Sequence, residues 1–338
     1  MKAAVFYNKA DLRVEELAVP AALPGEVLVR VHACGICGTD VHIFHGDEGA
    51  APTPRGTVLG HEFAGEVAAV GDGVTNCRVG DRVCVDPNKL CGQCRFCRGG
   101  VGHFCEDMIG IGTTVNGGFA EYVAVPESQV YVVRPDLPYA VAAMTEPVSC
   151  CLHGMDLCDV SCGSTVAVIG CGMIGLIMLQ LAKLRGAAKI IAVEPVEVKR
   201  QQALALGADL VLDPAAGLEA QLAAHGIDQI DRVIECVGHP VTIAQAIAIA
   251  GKYSTVMMFG LTAPAQEVSI RPFEIFKKEI TLKASFINPY TFPRALALLE
   301  SGKLDVSSMV STFAPLEELP EILRDPARRR DGKVIIEM

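Results

Sequence analysis

Hydrophobic positions follow two different rhythms along the chain. In the first third they come in short, β-rich runs at 1–7, 12–17 and 26–33, each closed by Asn, Pro or Gly. Val27-Leu28-Val29-Arg30-Val31 predicts a strand, and so do Gly80-Asp81-Arg82-Val83-Cys84-Val85 and Gly117-Gly118-Phe119-Ala120-Glu121-Tyr122-Val123. Many short strands with turn residues between them predict a partly open β-barrel. At Thr165 the rhythm changes. Thr165-Val166-Ala167-Val168-Ile169 is a continuous apolar strand, and an amphipathic helix follows to Arg185, closed by Gly186. Further strands are predicted at 189–193, 209–212, 231–236, 254–259 and 279–284, with helices near 197–206 and 240–250. Strands alternating with helices predict a doubly wound parallel sheet with right-handed crossovers. A last helix (291–301) and a terminal strand (333–337) complete the pattern.

The loop 91–105 fits neither rhythm. Cys91, Cys94, Cys97 and Cys105 recur at CxxCxxCx7C. That spacing lets one loop fold over a single ion, and zinc accepts four thiolates in a tetrahedron with no position left for substrate. The site is read as structural, pinning a lobe at about 86–110 that has few apolar residues of its own. An Fe–S cluster could use the same ligands, but nothing nearby suggests electron transfer.

The glycines at the change of rhythm carry chemistry as well. Gly170-Cys171-Gly172-Met173-Ile174-Gly175 sits between a strand and a helix, and Glu194 ends the next strand about 20 residues on. Gly170 allows the tight turn, Gly172 lets backbone approach a pyrophosphate, and Gly175 lets helix and strand pack closely. The helix start at Met173 and Ile174 offers N–H groups to the phosphates. Glu194 suits both ribose hydroxyls and would repel a 2′-phosphate, which predicts NAD over NADP. Lys199 and Arg200 stand close by as a solvated helix face, where a basic residue could tolerate that phosphate. Ligands bind outside the carboxyl ends of such strands, so Val237-Gly238 and Phe259-Gly260-Leu261 are candidates to line the nicotinamide.

Composition narrows the class. Half of the 338 residues are apolar and there is no Trp, so the core must be mainly aliphatic. Net charge is 29 − 39 = −10, which disfavours nucleic acid and anionic membrane as partners. Arg328-Arg329-Arg330 reads as a solvated turn. The longest apolar run, 173–184, is well short of the ~20 residues of a membrane span. Fourteen cysteines without a leader-like start predict a reducing cytoplasm, with thiols free or on metal.

A second metal site is suggested by Cys37, His61 and Glu62, a thiolate, an imidazole and a carboxylate on glycine-flanked loops. Three protein ligands plus one open position is the catalytic arrangement. Together, Cys34-Gly35-Ile36-Cys37-Gly38-Thr39-Asp40, Gly60-His61-Glu62-Phe63-Ala64-Gly65-Glu66-Val67, the four-cysteine lobe and the glycine fingerprint resemble the zinc-containing medium-chain dehydrogenase/reductase family, in that family's order and over essentially the whole chain. The resemblance implies a GroES-like catalytic domain at 1–147, a Rossmann NAD-binding domain at 148–284 and a return segment at 285–338 that completes the first. It implies a catalytic zinc on Cys37 and His61, with Glu62 ligating directly or lying just behind, and Glu146 of Thr145-Glu146-Pro147 facing the same ion. Thr39 and His42 would form a proton relay to solvent, since an alcohol oxidised in a water-poor pocket must shed a proton. The substrate hydroxyl and the nicotinamide would meet in the cleft between barrel and sheet, with tetramers as the family's habit.

Glu62 with Glu146-Pro147 resembles the polyol and threonine branches more than simple alcohol dehydrogenases. The run 286–293 resembles bacterial polyol dehydrogenases and departs from animal sorbitol dehydrogenases at Ile287 and Asn288. The expected reaction is oxidation of a polyol's secondary alcohol to a ketone. L-Threonine 3-dehydrogenase and 2,3-butanediol dehydrogenase are the enzyme alternatives, and a cofactor-binding structural or sensing protein is the alternative without catalysis.

Overall fold

A computed structural model describes residues 1–47 and 52–338. The chain divides into two compact units, Met1–Ser149 with Asn288–Met338, and Cys150–Ile287.

In the first unit the strand Glu26–Gly35 is central. It pairs antiparallel with Glu62–Val70, Tyr122–Pro126 and the terminal strand Lys333–Glu337. Arg82–Val85 and Val130–Val132 extend the sheet on one side, and Val310–Pro315 on the other. Its alternating buried positions, Val27, Val29 and Val31, pack with Val67, Val83, Val125 and Ile336 into an aliphatic core. Register matters most at Gly35, which lies opposite both Glu62 and Ile335. A Cβ at Gly35 would stand 2.4 Å from Glu62 Oε2 and 2.6 Å from Lys333 Cε, so only glycine leaves room for those side chains. A separate three-stranded sheet contains Asp11–Glu16, Lys2–Asn8 and Thr57–Val58.

The strand expected at 117–123 starts later, at Tyr122. Residues 117–119 instead donate to the carbonyls of Val58, Gly60 and Leu59. Any side chain at Gly118 would strike Phe63, at 2.4 Å. The glycines therefore serve close packing there, not a ladder.

The second unit is a six-stranded parallel sheet in the order Leu210–Leu212, Lys189–Val193, Thr165–Ile169, Arg232–Glu235, Thr255–Met258, Thr281–Ala284. The two central strands are buried from their second residue on, Val166–Ile169 by an aliphatic run and Val233–Glu235 with a carboxylate at its end. The last strand begins two residues later than its apolar pattern suggests. Glu279, at φ 50°, instead closes the helix Pro272–Lys278 in the left-handed region.

Candidate active site

Cys37 precedes the helix Gly38–His45 and donates its backbone N–H to Asp40 Oδ2 at 2.8 Å. The other Asp40 oxygen lies 3.4 Å from His61 Nδ1. Both Asp40 and His61 are buried. Glu62 opens the strand Glu62–Val70 and is completely buried. One ligand atom from each of Cys37, His61 and Glu62 lies within 4.8 Å of the others. The loops read from the sequence are thus a helix start and a strand start.

The charges around this cluster call for a cation. Burial alone would lower the His61 imidazole, yet the charges of Asp40 and Cys37 raise it well above the ordinary histidine value. Glu62 Oε2 meets the Lys333 ammonium, which also donates to the Ile36 carbonyl at 2.9 Å. Burial pulls the Lys333 ammonium down, but Glu62 and then Cys37 outweigh it and raise it. Glu62 Oε1 is buried with no hydrogen-bond partner among the described residues. A thiol, an imidazole and an orphaned carboxylate oxygen converge on one point, a donor set that fits zinc. Asp40 and Lys333 were not singled out by sequence reasoning. Lys333 lies 271 residues from Glu62, and no local pattern links them.

Glu146 is buried in the first turn of the helix Thr145–Cys158 and is not part of the three-residue group. Its carbonyl accepts from Ser149 Oγ at 2.7 Å. Ser149 Oγ in turn accepts from Asn288 Nδ2 at 2.7 Å, which ties this turn to the return segment. Thr39 and His42 stand three residues apart on the helix Gly38–His45, the spacing that puts two side chains on one face. His42 Nδ1 is 3.2 Å from Asp47 Oδ2 at the exposed end.

The four-cysteine lobe folds between the paired strands Asn88–Lys89 and Ile109–Gly110. The sulfurs of Cys91, Cys94, Cys97 and Cys105 lie within 4.8 Å of one another. Backbone amides point at them: Cys94 N–H donates to Cys91 Sγ and Cys91 N–H to Cys105 Sγ, both at 3.3 Å. The amides of Cys97 and Glu106 lower the Cys94 thiol to about 6. Desolvation, with help from the neighbouring sulfurs, pushes Cys97 up to about 12. Four sulfurs collected by N–H donors fit a tetrahedral ion.

In the second unit Gly170 has φ 89°. A Cβ at Gly175 would come within 1.8 Å of Gly170 O, whereas one at Gly172, just before the helix Met173–Leu184, would meet nothing within 4 Å. The loop is tight beneath and open above Gly172, Met173 and Ile174, a cradle for phosphate. Glu194 is buried, and each of its oxygens already accepts a backbone N–H: Cys171 at 2.8 Å and Val196 at 3.0 Å. It therefore holds the loop as well as facing it, and each oxygen keeps a further lone pair for a ribose hydroxyl. Lys199 is half-buried. Arg200 is not the solvated side chain expected. It is 13 % exposed, donates to the Glu194 carbonyl at 2.6 Å and pairs with Glu197 and Asp213. Val237 is exposed, and Gly260 packs against Gly238.

Residues 23–135 match the alcohol dehydrogenase GroES-like domain, and residues 174–301 match the zinc-binding dehydrogenase family. The chain is 35 % identical to D-arabinitol dehydrogenase 1 of Uromyces fabae, over 98 % of this chain and 96 % of that protein. It is 33 % identical to L-threonine 3-dehydrogenase of Caldanaerobacter subterraneus, over 98 % and 96 %. A crystal structure described as a zinc-binding dehydrogenase from Sinorhizobium meliloti, bound to NADP, superposes with TM-score 0.95 at 37 % identity. It covers 100 % of this chain and 99 % of that one.

Proposed function

The chain belongs to the zinc-containing medium-chain dehydrogenase family, with a GroES-like and a Rossmann-type domain, and we propose that it oxidises a secondary alcohol of a polyol to a ketone, passing the hydride to NAD. The observation that carries this reading is the buried group Cys37, His61 and Glu62 with its unpartnered carboxylate oxygen. The 35 % identity to an arabinitol dehydrogenase supports the polyol class.

Zinc at this group would supply a Lewis acid that favours loss of the substrate hydroxyl proton, and NAD would take up the hydride. Cys37 and His61 hold the ion, with Asp40 fixing the orientation of the His61 ring. Glu62 offers Oε1 while Lys333 retains Oε2, so its role is that of an adjustable third ligand. Glu146 is the candidate that would reach the ion through water. Thr39 would take the substrate proton while passing its own to the cofactor ribose, and His42, at the exposed end of the same helix face, would release a proton from that ribose to solvent. Cys91, Cys94, Cys97 and Cys105 hold the second, structural zinc.

NAD is preferred because a buried, amide-anchored Glu194 stands where a 2′-phosphate would need a cation, and Arg200 is already engaged by acids. Gly170, Gly172, Met173, Ile174 and Gly175 cradle the pyrophosphate, and Val237 and Gly260 line the nicotinamide. A reducing cytoplasm suits thiols reserved for metal. We read the protein as a homo-oligomer, with a tetramer favoured, because the last strand of the parallel sheet is an open edge beside exposed phenylalanines.

The test is reduction of NAD and NADP by zinc-loaded protein across sugar alcohols, threonine, 2,3-butanediol and ethanol. Turnover on sugar alcohols with NAD is expected. Turnover confined to threonine or butanediol would move the substrate and keep the reaction, and preference for NADP would remove the role given to Glu194. No turnover from protein carrying two zincs would sink the enzyme reading.

A further inference from the structure

Glu235, at the carboxyl end of the strand Arg232–Glu235, is completely buried. No lysine or arginine pairs with it among the described residues. Its carboxylate is instead surrounded by donors from the turn just beyond it and from the first turn of the helix Pro240–Ile249 that follows. Oε1 accepts from Val237 N–H at 2.8 Å and Gly238 N–H at 2.9 Å, and shares the single Thr242 hydroxyl proton with the His239 carbonyl, each at 2.8 Å from Oγ1. Oε2 accepts a longer bond from Gly238 N–H at 3.2 Å. The backbone carbonyl of the same residue accepts Phe259 N–H at 2.9 Å and Gly260 N–H at 3.0 Å. One residue therefore holds two loops, its side chain the turn after its own strand and its main chain the turn after the next.

The two turns are interlocked. A Cβ at Gly260 would stand 2.0 Å from Gly238 N, and one at Gly238 would stand 2.3 Å from Leu261 O. The assembly also reaches the phosphate loop, because a Cβ at Gly170 would meet Val237 Cγ2 at 2.5 Å. Burying a carboxylate is costly unless hydrogen bonds replace its water. Here that cost is offset by bonds that fix the backbone of a loop and bind nothing else. Such an arrangement specifies loop geometry more than it adds stability.

We propose that Glu235 is a positioning residue for the nicotinamide end of the cofactor, acting through the Val237-Gly238 turn and the Phe259-Gly260 turn. The inference rests on the reading of Val237 and Gly260 as nicotinamide-lining. Glu235→Gln keeps the size and leaves one oxygen for the short bonds, but removes the charge that strengthens them and sets an amide NH2 against the Gly238 N–H at the longer contact. The adenosine and pyrophosphate subsites keep their own anchor, Glu194 on the Cys171 and Val196 amides, which Glu235 does not touch.

Binding of NAD and of ADP-ribose, which lacks the nicotinamide, separates the two ends in titration calorimetry of the full-length zinc-loaded protein. In Glu235→Gln the NAD Kd should rise about tenfold, as loss of a charge-assisted hydrogen bond implies, while ADP-ribose stays within about twofold. NAD affinity unchanged, or both ligands weakened alike, overturns the proposal. Should that variant not fold, Thr242→Val removes a single donor and should move the same ratio less; an unmoved ratio there is equally fatal. Val237→Arg tests the underlying reading separately. If it leaves NAD binding intact, the turn does not meet the nicotinamide. If it weakens NAD while Glu235→Gln does not, only the role of Glu235 falls.

Discussion

Lys333 brings a positive charge to a point that is 3 % exposed, where Glu62 is its only carboxylate partner within ion-pair distance among the described residues. Breaking a buried pair by removing one member leaves the other charge uncompensated, at about 3–5 kcal/mol. Lys333→Met should therefore lower the stability of metal-free protein by that order in a urea melt. Bound zinc would restore a positive charge beside Glu62, so the deficit should shrink when zinc is added. A deficit of equal size with and without zinc would mean that Glu62 and the ion do not share the same field. Asp86 presents the opposite case, a half-buried carboxylate with neutral partners. Desolvation raises it from 3.8 to about 6, against the Asn88 amide and the Asn288 side chain that favour its charge. Between those two values the folded state binds a proton that the unfolded state releases, so stability falls as pH rises through that window. Each pH step is worth about 1.4 kcal/mol. Asp86→Asn keeps the acceptor and removes the ionisation, so it should stabilise by up to about 3 kcal/mol at pH 8, with the gain fading as pH falls towards 4. An equal gain at both ends, or a loss at pH 8, would contradict the assignment.

The elements differ in how openly their sequences announce them. The strands Thr165–Ile169 and Lys189–Val193 are runs of aliphatic residues between glycines, and both their existence and their parallel pairing were legible. The four-cysteine lobe was equally open, because its ligands are local in sequence. The helix Gly38–His45 was not, since Gly, Thr, Asp and two His are weak helix formers. It is set by its ends: Asp40 accepts the Cys37 N–H, and Gly46, at φ 84°, closes it. Lys333 was invisible for a related reason, since a contact across a sheet, 271 residues from Glu62, leaves no spacing to read. The lobe carries its own prediction. Its four cysteines are only half-buried and its short helix Arg95–Arg98 contributes no buried residue. With so little core, its order must come from the ion. Cys94→Ala should bind one zinc per chain where the parent binds two, and protease should cut between 90 and 106 while the rest of the chain stays intact. A variant that keeps both zincs and resists cleavage would show that the lobe stands without them.

At the scale of the whole molecule, the apolar surface left uncovered is unevenly distributed. The strand Thr281–Ala284 pairs on one side only, with Thr255–Met258, and the helix before it leaves Phe273 66 % and Phe276 78 % exposed. An acidic chain with a net charge of −10 repels its own copies at long range. Any association would therefore have to come from short-range burial, and open edges with large apolar neighbours are where chains pair. Burying two phenylalanines on each of two copies is worth several kcal/mol at about 25 cal/mol per Å2 of apolar surface, before the cost of losing free motion. The double variant Phe273→Glu, Phe276→Glu places like charges at that position on both partners. Light scattering should then report a smaller particle than the parent, with each chain still binding ADP-ribose, since the phosphate loop follows the central strand Thr165–Ile169 and not this edge strand. An unchanged mass would exclude this edge as the association surface. Loss of ADP-ribose binding together with mass would instead mean that the fold of the second unit depends on the contact.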